Sequence, residues 1–243
     1  MAIEESINIV QTASDPDRSN ASPHCVQLET RTAKLSGTLS KPGSCEGVVV
    51  VARATESIES DHSNAVLRDG LHRSKLGCLV MNLIASQELR RKAYLQSDAD
   101  VLADRICSVV RLLRKHSMTM NCSLGLYGAK IAGAAVMAAC ANCGEMISAA
   151  VVCDPASFPK SIYLEPHLPP ICLIASAPGG DSHMLRKISA RDFESADVSV
   201  LSKEKKGDRF ELGAAVECEI AVEWFKDHLS HGARGLSNKV MSC

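Results

Sequence analysis

Aromatic side chains are scarce in this sequence: Phe, Tyr and Trp together supply 3% of 243 residues. A core must therefore be filled with Ala, Val, Leu and Ile, and the 46% apolar content provides them. An excess of either charge sign is also missing. The formal net charge is −1 with both signs interspersed, which excludes nucleic acid and an anionic membrane as bulk electrostatic partners. No apolar run approaches the roughly 20 residues of a membrane span. The first 24 residues are polar and acidic, without the apolar stretch of a secretory signal or the Arg-rich character of a transit segment. A cytoplasmic location is the expectation. None of the eight histidines stands in HxxxH or HxH spacing, so neither a metal centre nor another cofactor is expected.

Cysteine is the exception to this sparseness, with eleven residues. Their placement speaks against a disulfide framework. Cys78, Cys107, Cys122, Cys140, Cys153, Cys172 and Cys218 all fall in apolar runs, where thiols behave as small hydrophobes. An odd count without a signal sequence fits a reducing compartment. Cys140 and Cys143 have CxxC spacing, but at the end of a predicted helix rather than at its start, where a redox motif needs them.

Along the chain, residues 1–24 are rich in Ser, Asp and Asn and are expected to fray. VQLETRTAKLSGTLSKP alternates as two antiparallel strands with a turn at Leu35-Ser36-Gly37. GVVVVA is a continuous β-branched run, the mark of a strand buried on both faces of a parallel sheet. Helix HSNAVLRDGLHRSK, strand LGCLVMNLI and a helix with Ala99, Leu102, Ile106, Val109, Val110 and Leu113 on one stripe follow. The alternation continues with strand CSLGLYG, helix AKIAGAAVMAACAN, strand ISAAVVCDP, strand PPICLIASAP, a helix over 182–195, strand DVSVLSK and helix ELGAAVECEIAVEWFKDHLS. The order implies a mostly parallel sheet covered by helices on both faces, with an antiparallel N-terminal start. One domain spans 25–232, with a polar tail over 233–243.

The stretch LGLYGAKIAGAA brings an apolar strand into a Gly-Ala turn and then into an Ala-rich helix. With the element order, this junction resembles the α/β-hydrolase fold, and more closely its small dienelactone-hydrolase-like members. The resemblance implies a nucleophile on the turn after the fifth strand, where Gly128-Ala129-Lys130-Ile131-Ala132 stands here. It implies an oxyanion-hole segment after the third strand, occupied here by Arg53-Ala54. It implies an acid after the seventh strand, matched by Asp181, and a histidine after the eighth, where Asp208 or Arg209 stands depending on the gap. Only the acid is retained.

A serine hydrolase needs an attacking atom, a base to take its proton and donors for the oxyanion. Lysine attacking an ester leaves an amide that water does not turn over, and neither Asp nor Arg shuttles protons near neutrality as imidazole does. The sequence therefore points to a pseudo-hydrolase with a degenerate triad. Its retained pocket, lined by Arg53, Lys130, Ile131, Asp181 and Arg209, is expected to bind a small anion or a protein partner. Two other readings stay open. One is a lyase, isomerase or cyclase in which Lys130 acts as base or Schiff-base nucleophile; the other is a hydrolase with a rebuilt triad. His62 and His183, Asp154, the acidic loop at Glu56, Glu59 and Asp61, and the basic run Arg90, Arg91 and Lys92 are most simply solvated or turn residues.

Overall fold

The GVVVVAR run forms a strand in which every residue but the terminal Arg53 is buried, as a strand covered on both faces requires. The computed structural model describes residues 5–11, 23–54, 58–85, 88, 98–158, 168–175, 198–202 and 211–230. In chain order the strands are β1 (Ser6–Gln11), β2 (Pro23–Glu29), β3 (Lys34–Ser40), β4 (Gly47–Arg53), β5 (Leu76–Asn82), β6 (Ser123–Ala129), β7 (Ala149–Cys153), β8 (Ile171–Ala175) and β9 (Val198–Ser202). The described helices are α1 (Ile58–Arg73), α2 (Ala99–Lys115), α3 (Lys130–Cys143) and α4 (Glu211–Leu229). The strands join in one sheet ordered β1-β2-β3-β5-β4-β6-β7-β8-β9. β4 through β9 run parallel, and β1, β2 and β3 form the antiparallel start.

Because strand side chains alternate with a period of two, each central strand feeds two cores. Val48, Val50, Leu124, Leu126, Ala150 and Val152 pack against α2 and α3. Val49, Val51, Tyr127, Ala149 and Val151 face α1 and α4, where Leu67, Leu71 and Phe225 close the layer. The scarcity of rings makes Phe225 unusual, and it is fully buried. It sits over Gly125, where a Cβ would fall 2.8 Å from the ring edge. Among the described residues, no helix is long and apolar enough to cross a membrane.

Three expectations shift. Residues 1–24 do not fray throughout: Ser6–Gln11 pairs antiparallel with β2, with Ile7 and Ile9 packed on the core and Ser6 and Asn8 exposed. The polar alternate positions hide a strand that its period of two would have shown. The turn after β2 lies upstream of the expected place. There Thr30 Oγ1 donates to the Ala33 carbonyl at 2.9 Å and accepts from the Ala33 amide at 3.0 Å. Gly37 is instead mid-strand in β3, where a Cβ would stand 2.5 Å from the Val80 carbonyl oxygen. Its glycine serves close approach, not turning. The first helix begins at Ile58, so Asp61 belongs to α1 and not to a loop. The predicted helix over 182–195 and the tail 233–243 lie outside the described residues.

The seven cysteines expected in the core are buried, as is Cys143, while Cys25 and Cys45 are half-buried; all are free thiols. Helix α3 ends at Cys143, so the CxxC pair sits at a C-terminus as read from sequence.

Candidate functional site

The parallel ladder fixes which residues meet at the carboxyl edge of the sheet, where α/β proteins present their sites. Ala52 pairs with Gly128, and Ala129 with Cys153. Arg53 is therefore level with Ala129, while Lys130 and Asp154 share the next level. The backbone reinforces this row: the Asp154 amide donates to Ile174 O at 2.9 Å, and the Ala156 amide to Lys130 O at 3.0 Å. Arg53, Lys130 and Ile131 are thus brought to one edge, as the sequence implied. Asp181, Asp208, Arg209, His183, Glu56 and Arg90 to Lys92 lie outside the described residues.

The turn into α3 is a strained elbow. Lys130 has φ 54°, a left-handed conformation that lysine adopts only at a cost. A Cβ at Gly128 would lie 2.6 Å from the Ala132 carbonyl oxygen and 2.8 Å from Val136 Cγ2, so only glycine lets the strand pass this close to the helix. At Ala132, by contrast, a buried methyl is accommodated. The start of α3 also lacks what a stable helix start has. Its N-cap Ala129 offers no side-chain hydrogen bond and its first turn holds no acid. Helix α2 is the internal contrast: Asp98 caps it by accepting from the Val101 amide at 3.1 Å, and Asp100 lies in its first turn.

Lys130 is exposed, and its ammonium opposes the α3 dipole at a cost of about 0.3–1 kcal/mol. The left-handed φ adds about 1–2 kcal/mol. Replacement by glycine removes both and gives back about 0.5–1 kcal/mol through the freer unfolded chain. Lys130→Gly is therefore expected to stabilise the protein by about 1 kcal/mol, read as a higher urea midpoint at unchanged m-value. An unchanged or lower midpoint would show that the elbow is not strained by its lysine.

Arg53 departs from its expected role as an open ligand cation. Its Nη2 lies 2.7 Å from Asp61 Oδ1 on α1, and its side chain is only 14% exposed while that of Asp61 is 61% exposed. Asp61, read from sequence as part of a solvated acidic loop, gives Arg53 a carboxylate partner before any ligand arrives. The reason is the earlier start of α1, which carries Asp61 back over the end of β4. The Arg53 carbonyl also accepts from the Leu83 amide at 2.8 Å.

A second ion pair went unread in the sequence. Arg105 of α2, 2% exposed, donates from Nη1 to Glu88 Oε2 at 2.8 Å and from Nη2 to Glu88 Oε1 at 2.9 Å. Its Nη1 also reaches Leu83 O at 2.6 Å, and Glu88 Oε2 accepts from the Ala85 amide at 3.1 Å. The pair pins the chain just after β5 beside the elbow edge. Its one sequence signal was an arginine set among the apolar positions of α2.

No protein-family model matches the chain, and no curated protein sequence does. Solved structures do. A dienelactone hydrolase from Anabaena variabilis superposes with TM-score 0.72 at 21% identity, over 87% of this chain and 100% of that one. An esterase from Pyrococcus furiosus gives 0.66 at 13% identity, over 91% and 99%. An S-formylglutathione hydrolase from Agrobacterium tumefaciens gives 0.63 at 9% identity, over 91% and 99%. At these identities the likeness speaks for the fold. With its strand order and its strained elbow, the chain has the α/β-hydrolase fold in its dienelactone-hydrolase-like form.

Proposed function

We propose that this protein is a pseudo-hydrolase that binds a small anionic ligand, a carboxylate or phosphate, over the elbow. The observation that carries the reading is Lys130 itself. The elbow keeps its positive φ and its close-packed glycine, yet the residue it displays is an exposed cation rather than a hydroxyl or thiol. The first-turn amides of α3, uncapped by any side chain of Ala129, point to the same place and favour negative charge. An anion there would pair with Lys130 and relieve its conflict with the helix dipole. Arg53, engaged by Asp61, supports the edge by holding α1 against it. A desolvated amine suited to Schiff-base chemistry is disfavoured by the exposure of Lys130.

The reading is tested by thermal shift with acetate, larger carboxylates and phosphate at low and moderate salt. Wild type should melt higher with at least one of them, and Lys130→Ala should lose the response. Arg53→Ala should keep the response while melting lower without ligand. If no anion raises the melting temperature, or Lys130→Ala responds as wild type does, the anion site is wrong and a protein partner becomes the better reading.

A further inference from the structure

The opposite edge of the sheet carries a second cluster of reactive groups, remote in the fold from Lys130. Cys45 stands two residues before the start of β4 and Cys122 immediately precedes β6, and these strands are parallel neighbours with Gly47 paired to Ser123. The Ser123 amide donates to Glu46 O at 2.8 Å, which clamps the two chain segments side by side. Cys122 Sγ lies 3.7 Å from the Cys45 carbonyl oxygen, and Cys45 Sγ lies 3.0 Å from Gly47 O. The Cys122 sulfur is thereby laid against the backbone of Cys45. Cys122 is buried and Cys45 half-buried, so the pair is reached from solvent through Cys45.

The charges of two cations act on Cys122. Lys41, from the connection after β3, is held by donating to Met118 O at 2.8 Å, and Arg114 of α2 donates from Nη1 to Cys122 O at 3.0 Å. The Cys45 thiol beside it is the main influence on Cys122, and with the charges of Lys41 and Arg114 it outweighs burial to lower the Cys122 thiol below its ordinary value. Cys45 moves the opposite way, raised chiefly by sharing its proton with Cys122 and then by burial. A thiol eased toward its thiolate beside one held protonated is the arrangement that favours oxidation of a cysteine pair.

We propose that Cys45 and Cys122 form an oxidisable dithiol whose substrate is a hydroperoxide, Cys122 attacking and Cys45 resolving. The Cys122 thiolate attacks one peroxide oxygen, the O–O bond breaks, and hydroxide or alkoxide leaves with the electron pair, giving a sulfenic acid. Cys45 then attacks that sulfur, its proton joins the departing hydroxyl as water, and the disulfide closes. Two thiols and one hydroperoxide become one disulfide, water and either a second water or an alcohol. The product ties the starts of β4 and β6, two central strands. Cys107 and Cys143 supply an internal comparison: their sulfurs are 2.8 Å apart, but both are buried between α2 and α3.

The test uses the full-length reduced protein and hydrogen peroxide in small molar excess, followed by alkylation and mass mapping. The expected first product is a Cys45–Cys122 disulfide that dithiothreitol reverses. Cys45→Ser should stop at a Cys122 sulfenic acid trapped by dimedone, and Cys122→Ser should consume no thiol at the same dose. The proposal is overturned if the pair stays reduced, if Cys107 and Cys143 or another pair links first, or if Cys122→Ser oxidises at Cys45 as fast as wild type.

Discussion

Arg105→Ala is expected to lower the unfolding free energy by about 3–5 kcal/mol, the usual loss when one partner of a buried ion pair is removed. The guanidinium reaches both Glu88 oxygens and the Leu83 carbonyl, so alanine takes the bidentate cation from a buried carboxylate that keeps the Ala85 amide, and a donor from the carbonyl. Against a typical total of about 5–15 kcal/mol, the loss decides whether much of the protein stays folded. A double change to apolar residues of similar volume, Arg105→Met with Glu88→Leu, is expected to recover most of it, because no buried charge is then left alone. Urea unfolding of the three proteins reads the difference. A loss below about 1 kcal/mol for Arg105→Ala would show that Glu88 finds water or another donor when its partner is gone.

The sheet was legible because its central strands are apolar on both faces: GVVVVA and LGLYG admit few other structures, and their spacing demands helices between them. The elbow was legible because Gly128 is forced by sterics, and steric demands survive in sequence. What escaped depends on distance. Asp61 meets Arg53 only because α1 starts at Ile58, and a boundary displaced by four residues turns a solvated acid into a partner. Glu88 sits in a stretch whose charges suggested a solvated helix face, yet it is buried because Arg105 enters from 17 residues away. Cys45 and Cys122 are 77 residues apart, and only the strand order puts them side by side. Local chemistry was readable; pairings made by the crossovers were not. The strand Ser6–Gln11 is a third kind of miss, since composition outweighed a period of two that was present.

Neither the wild-type protein nor Lys130→Ser is expected to turn over activated esters at a hydrolase rate. In a working triad, removing the serine or the histidine alone costs about a millionfold in kcat. What survives, about 10³–10⁴ over water, comes from the oxyanion donors and binding. The wild-type elbow lacks a hydroxyl, and the amine in its place would hold an acyl group as an amide that water does not release. Restoring serine supplies the attacking oxygen, but the sequence has Asp208 or Arg209 where the resemblance implies the histidine, so the hydroxyl is expected to stay protonated. The segment that resembles the oxyanion-hole loop begins at Arg53, whose side chain is turned to Asp61 on α1. Release of nitrophenol from short-chain esters, followed against a buffer blank, measures both proteins. Fast wild-type turnover that disappears in Lys130→Ala, labelling of the wild type by a serine-directed phosphonate, or robust turnover by Lys130→Ser would reveal a rebuilt triad and return the protein to the hydrolases whose fold it shares.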